Sequence, residues 1–144
     1  MGYIRDEIIE AAKVINASMI ELTPSESEKI HVDVSNKFAQ GTQDWMWEHL
    51  ESKVSIQDPD AWKWINDYIK DFQVIMLFNS KEEGTVFRFF DSNEIIPILG
   101  NTSGFEFYLT DIKYNYLLCF NHHDYLIASG TAQNWLETLI KTKQ

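Results

Sequence analysis

The sequence predicts an α+β fold: an antiparallel sheet of five to six strands with N-terminal helices and a C-terminal helix packed on it. Three observations predict it. Apolar residues recur at helical spacing through the first half of the chain. From residue 72 to 129 the pattern changes to short apolar runs joined by short polar loops. A last amphipathic stretch follows at 131–141. Elements in runs, rather than in alternation, favour α+β over α/β. At 144 residues the chain has the length of one domain. That domain, 1–144, divides into a mainly helical part (1–71), a sheet (72–129) and a closing helix (131–141).

Taken in order, residues 3 to about 20 read as an amphipathic helix with Ile4, Ile8, Ala11, Ala12 and Ile15 on one face. Asp6 and Glu7 suit its positive N-terminal end. Thr23-Pro24-Ser25-Glu26 marks the next helix start. Thr23 caps, Pro24 takes the first helical position and Glu26 stands three residues after the cap. Ile30, Val34 and Phe38 share a face of that helix, although Ile30, Val32 and Val34 also alternate as an edge strand does. A short helix is expected in QDWMWEHLES, and Asp58-Pro59 opens another that runs to Lys70. FQVIMLF at 72–78 reads as a central strand, followed after a polar turn by TVFRFF at 85–90. Residues 93–100 stay ambiguous, because Pro97 blocks a regular central strand. FEFYLT (105–110), YLLCF (116–120) and YLIAS (125–129) complete the sheet as hairpin partners. Ala132, Trp135, Leu136, Leu139 and Ile140 form one face of the last helix.

Composition narrows the function. Apolar residues make up 44% of the chain, enough for a core without metals or staples. The lone cysteine, Cys119, excludes an internal disulfide and points to an intracellular, cytoplasmic protein. The N-terminus lacks the pattern of a signal peptide, and no stretch nears the roughly 20 apolar residues that cross a bilayer. Net charge is −10, and only Arg5 and Arg88 are arginines, which argues against nucleic acid and anionic membranes as ligands. A basic protein partner or a neutral ligand remains. No glycine-rich phosphate loop, GxSxG, CxxC or HExxH occurs, so no cofactor is expected.

Asn121-His122-His123-Asp124 is the most unusual local sequence, set at a hairpin turn. His and Asp are metal ligands and acid–base groups, yet adjacent histidines rarely aim at one ion, and no third ligand is fixed among His31, His49, Glu106 and Asp111. Asn and Asp also favour turns because their side chains bond nearby backbone. Cys119 sits inside an apolar run, where a thiol is usually a small core residue. Glu106 interrupts FEFYLT. Strand alternation directs it to solvent, and the alternative is a carboxylate lining a pocket with Tyr108 or Tyr116. Trp45 with Trp47, and Trp62 with Trp64, stand two apart and do not share a helix face. One member of each pair is expected in the core while the other covers a neighbour or meets a partner.

The stretch from Phe105 to Leu136 runs F-E-F-Y-L-T-D, N-Y-L-L-C-F-N-H-H-D-Y-L-I and G-T-A-Q-N-W-L. In layout it resembles small bacterial proteins of the SUKH superfamily, immunity proteins of bacterial toxin systems. That resemblance implies an acidic domain with helices on an antiparallel sheet, no catalytic residues, and a role in neutralising a toxin by binding it.

Charge is unevenly placed. Residues 1–71 hold 14 acids and 7 bases, and residues 72–144 hold 8 and 5. The acids concentrate near the tryptophan pairs. The sequence therefore nominates Trp45, Trp47, Glu48, Glu51, Asp58, Asp60 and Trp64 as a surface for a basic partner such as a toxin. Glu106, His122, His123 and Asp124 form a second, polar candidate for a small metal-binding protein or hydrolase. An aromatic pocket for a small neutral ligand is the third reading. Nothing in the sequence sets an oligomeric state.

Overall fold

The computed structural model describes residues 3–70 and 73–143. Helix α1 (Tyr3–Ile15) buries Ile4, Ile8, Ala11 and Ala12, the face that the spacing predicts. It ends earlier than expected. Asn16 takes a left-handed conformation (φ 55°) and the Ala17 amide bonds back to the Ala12 carbonyl at 2.8 Å. Asparagine tolerates that conformation at a helix terminus. The following residues form edge strand β1 (Met19–Glu21) instead of a further helical turn. Helix α2 (Pro24–Phe38) resolves the helix-or-strand ambiguity in favour of helix. Its capping box is complete: the Glu26 amide donates to the Thr23 hydroxyl (3.1 Å), and the Thr23 amide donates to the Glu26 carboxylate (2.9 Å).

The region expected as a short helix in QDWMWEHLES holds only a 3-10 turn, Met46–Glu48. It is followed by a strand that the sequence reading did not anticipate, β2 (Val54–Gln57). Only Val54 and Ile56 alternate there, a pattern too short to stand out from a helical context. The next helical stretch is a 3-10 turn, Ala61–Ile65, running into a single α turn, α3 (Asn66–Ile69). β3 (Val74–Leu77) and β4 (Phe87–Phe89) follow. Phe72, expected to open the central strand, lies outside the described residues. The ambiguous stretch is helical: α4 (Ile95–Gly100) carries Pro97 in its first turn, where a missing N–H costs little. β5 (Phe107–Thr110), β6 (Tyr116–Phe120), β7 (Tyr125–Gly130) and α5 (Ala132–Lys143) complete the chain.

The strands form one seven-stranded sheet in the order β1-β4-β3-β5-β6-β7-β2, and every neighbouring pair is antiparallel. The sheet exceeds the expected strand number because β1 and β2, its two edges, are short. Both faces are covered. Val74, Met76, Phe107, Leu109, Leu118, Leu126 and Ala128 pack with α1, α4 and α5. Ile75, Leu77, Tyr108, Leu117, Cys119 and Ile127 pack with Ile30, Val34 and Phe38 of α2 and with Met46. Two-sided burial explains why β3, β5 and β6 read as unbroken apolar runs. No helix among the described residues is long and apolar enough to cross a membrane.

Two positions carry specific constraints. Gly130 ends β7 at φ 67°, and a Cβ there would lie 2.4 Å from the Asn115 carbonyl oxygen. Gly130→Ala is therefore expected to cost about 2 kcal/mol or more, measured by chemical denaturation. His31 of α2 is 3% exposed, and its Nε2 lies 3.2 Å from the Gly84 carbonyl. Burial lowers its pKa below the ordinary 6.5, while the Gly84 carbonyl, Asp44 and Glu28 pull it upward. The unfolded chain thus binds the proton at higher pH than the fold does. Stability from this group is complete above about pH 6.5 and is lost as the pH falls towards the folded-state value. Urea midpoints measured between about pH 7 and 5 are expected to fall with pH, and His31→Gln flattens that fall.

Candidate functional site

The β6–β7 hairpin turn is built from its own residues. Buried Asn121 accepts the His123 and Tyr125 amides on its side-chain oxygen, at 3.0 and 3.1 Å. Asp124 closes the turn in a left-handed conformation (φ 64°). His122, His123 and Asp124 are exposed. The turn is therefore structural in its backbone, and it projects two imidazoles.

One of them, His122, meets a buried carboxylate. Glu106 is 5% exposed and does not face solvent as strand alternation predicted. It shares a sheet face with Tyr108, and that face is covered by α2 and the 44–48 segment rather than by water. Burying a carboxylate is tolerable only when donors satisfy it, and four do. His122 Nδ1 lies 2.6 Å from Oε2, and the His122 amide donates to the same oxygen at 3.3 Å. Oε1 accepts the Trp47 indole N–H and the Asn79 side-chain amide, the latter at 3.3 Å.

Asn79 is the second hub. It is fully buried just beyond β3. Its oxygen accepts the Trp45 amide (2.9 Å) and the Tyr108 hydroxyl (3.2 Å), and its amide nitrogen also donates to Glu82 at 3.0 Å. The Tyr108 hydroxyl in turn accepts the Trp47 amide at 3.3 Å. Burial pushes the Tyr108 pKa far upward, so the hydroxyl stays protonated and able to donate. The Asp44 carboxylate clasps the neighbouring loop through the Ser80 hydroxyl (2.8 Å) and the Lys81 amide (2.9 Å).

This network holds two tryptophans in place. Trp45 and Trp47 are both half-buried, so neither enters the core as the two-apart spacing led us to expect. The α-helical face rule does not apply here, because Trp45 is left-handed (φ 56°, ψ 43°) and Trp47 sits in the 3-10 turn. A bulky residue in that conformation is strained by about 1–2 kcal/mol. The indoles frame the turn edge-on. Trp45 and Trp47 lie 6.4 and 6.2 Å from the His122 ring, and Trp47 lies 6.0 Å from the His123 ring.

The structure therefore brings Trp45, Trp47, Glu106, His122 and His123 together at one end of the sheet. Asp58 and Asp124 join them through the Asp58 amide, which donates to the Asp124 carbonyl at 2.9 Å. Exposed Glu48, Glu51 and Asp60 flank these segments in the chain, and Asp60 pairs with Lys63 at 3.3 Å. Trp64 is not part of the group. It packs with the opposite face of the sheet, beneath Lys143 of α5, whose ammonium lies 4.1 Å from the ring. Trp62 and Trp64 are half-buried as well. Of the further ligand candidates, Glu106 bonds to the turn through His122. Among the described residues, no group of three or more His, Cys, Asp and Glu side chains is placed to hold a metal. Burial raises the pKa of Cys119 and keeps its thiol protonated. A crevice of about 210 Å³ lies between Trp62, Phe105, Phe107 and Phe120.

Chemically, the arrangement orients His122. With Nδ1–H directed at Glu106, the imidazole is held with Nε2 unbonded to protein, on a side chain 55% exposed. Asn79 was not singled out in the sequence, since a polar residue after an apolar run reads as the start of a turn. Glu106→Gln places an amide N–H against one of four donors. It is expected to destabilise the fold by about 3 kcal/mol in urea titration and to broaden the His122 ring signals in NMR spectra.

Residues 3–140 match the family described as a family of unknown function, DUF6756. No curated protein and no solved structure matches the chain.

Proposed function

We propose, for a chain that belongs to the DUF6756 family of unknown function, that it is a non-catalytic interaction domain whose Trp45–Trp47–His122–His123 end docks a basic protein. The observation that carries this reading is the pair of half-buried indoles held from below by Glu106, Asn79 and Tyr108. Rigid aromatic anchors lose little freedom on binding, and tryptophan is enriched among residues that dominate interface energy. The strain at Trp45 is in keeping with a role outside folding. Glu48, Glu51, Asp60 and Asp124 give the rim negative charge, which speeds association with a basic partner.

Enzyme chemistry is the weaker fit. Covalent catalysis through an oriented imidazole requires a nucleophile beside it, and Cys119 on the same hairpin is buried. A secreted toxin neutralised by its immunity protein is the kind of basic partner that the resemblance in layout supports.

The test separates anchor from rim. Proteins captured from the native host by the wild-type chain are identified by mass spectrometry, and the basic candidate is purified and measured by surface plasmon resonance. Trp45→Gly relieves the left-handed strain and is expected to leave stability within about 1 kcal/mol. The same substitution is expected to raise Kd by about tenfold or more. Reversal of Glu48, Glu51 and Asp60 to Lys is expected to slow association and weaken its salt dependence. A partner whose binding ignores both sets of changes overturns the proposal.

A further inference from the structure

The sheet ends in two edge strands, β1 and β2. An edge strand presents a row of backbone N–H and C=O groups without ladder partners. The two edges differ. β1 is three residues long. Its Glu21 is held by the Arg5 guanidinium at 2.7 and 2.9 Å, and the Ser18 amide before it donates to the Glu94 carboxylate at 3.0 Å. β2 runs Val54-Ser55-Ile56-Gln57, with neither a charge nor a proline along it. Those are devices by which sheets blunt an edge.

The ladder decides which groups of β2 point outward. Val54 lies opposite Ala128 of β7, and Ile56 opposite Leu126. One step further along, the Asp58 amide donates to the Asp124 carbonyl at 2.9 Å. Antiparallel pairs alternate between bonded and non-bonded. Val54, Ile56 and Asp58 therefore turn their N–H and C=O groups to β7, and Ser55 and Gln57 turn theirs away. The neighbouring ladder agrees. The Asn121 amide donates to the Tyr125 carbonyl at 3.1 Å, so Tyr125 and Ile127 bond β6 and leave Leu126 and Ala128 for β2. Ser55 and Gln57 are exposed, and no backbone group among the described residues bonds their outward side.

This open edge adjoins the tryptophan–histidine surface. The Gln57 side-chain amide donates to the His123 carbonyl at 3.2 Å, and the His123 ring lies 6.0 Å from Trp47. Glu51, Asp58 and Asp60 flank the strand against a single base, Lys53. A second copy would set two chains of net charge −10 edge to edge, whereas a basic segment meets opposite charge.

We propose that an extended segment of a basic partner adds to the sheet along β2 as an eighth strand, exchanging backbone hydrogen bonds with Ser55 and Gln57. The proposal rests on the reading that the adjoining surface docks a basic protein. In strand addition, main-chain bonds give affinity and neighbouring side chains give specificity. Trp45 and Trp47 supply the second of these.

The test is hydrogen exchange of the full chain, followed by NMR with an acetylated, amidated peptide Lys-Val-Lys-Ile-Lys-Val-Lys. Its controls are the same peptide with every amide N-methylated, and an acidic version with Glu for Lys. In the free chain, Ile56 is expected to exchange slowly and Ser55 and Gln57 rapidly. The basic peptide is expected to slow Ser55 and Gln57 by about tenfold or more, and the two controls are not. Ser55→Pro removes an outward N–H where an edge tolerates proline, and is expected to raise the peptide's Kd about tenfold while Ile56 stays protected. If that variant fails to fold, the N-methylated peptide removes the same bonds from the other side. Unprotected Ser55 and Gln57 amides at about 1 mM basic peptide overturn the proposal, as does equal binding of either control. Protection that rises with chain concentration alone identifies a second copy as the occupant and overturns it too. Binding weakened by Trp45→Gly but not by Ser55→Pro sinks strand addition and leaves the docking surface standing. The converse supports strand addition and sinks the docking surface.

Discussion

Strands β3, β5 and β6 carry apolar side chains on both faces, and neither face is stable against water. The face towards α2 alone receives Ile75, Leu77, Val86, Tyr108, Leu117, Cys119 and Ile127. At about 2 kcal/mol for each large buried side chain, that face contributes on the order of 10 kcal/mol, comparable with the net stability of a whole domain. Cover is therefore obligatory on both sides. Helices α1, α4 and α5 take one face, and α2 with the 3-10 turn at Met46–Glu48 takes the other. Polar groups that belong to these strands are driven to the strand ends, where loops supply their partners.

Glu106 is the consequence of that constraint. It occupies the residue before β5, on the face that α2 and the 44–48 segment enclose. Water is excluded there, so its partners come from three separate segments: Trp47, Asn79 and the 121–124 turn. One carboxylate thereby ties together loops that are distant in sequence. The same bonds that satisfy it also set the positions of both indoles and of the His122 ring. Structural satisfaction and presentation of a surface are one arrangement, which is why a buried charge is retained where an apolar residue would pack at lower cost.

Much of the fold was legible because its signals are local. The capping box at Thr23, the apolar face of α1 and the hairpin turn at 121–124 all depend on neighbours within four residues. What misled was context. Met19–Glu21 looked like the continuation of a helix until Asn16 turned left-handed, and its strand character comes from pairing with β4. Val54–Gln57 becomes a strand because β7 offers it an edge. The candidate site was legible in its parts, as the tryptophan pair, the acids and the histidine turn, but not in its grouping. Trp64 was assigned with Trp47 on charge and aromatic content, and the sheet separates them.

By itself, the sequence determined the fold class, helices α1, α2 and α5, strands β3 to β7, the capping box at Thr23 and the turn at 121–124, since each follows from periodicity and short-range hydrogen bonding. It also determined the acidity, which is a matter of composition. Only the tertiary structure decided that Glu106 is buried and that Trp47 and His122 share it. The reason is that period-two alternation reports two faces of a strand but not what lies against them. A residue expected to face water meets a second helical layer instead, and its chemistry changes with the neighbour.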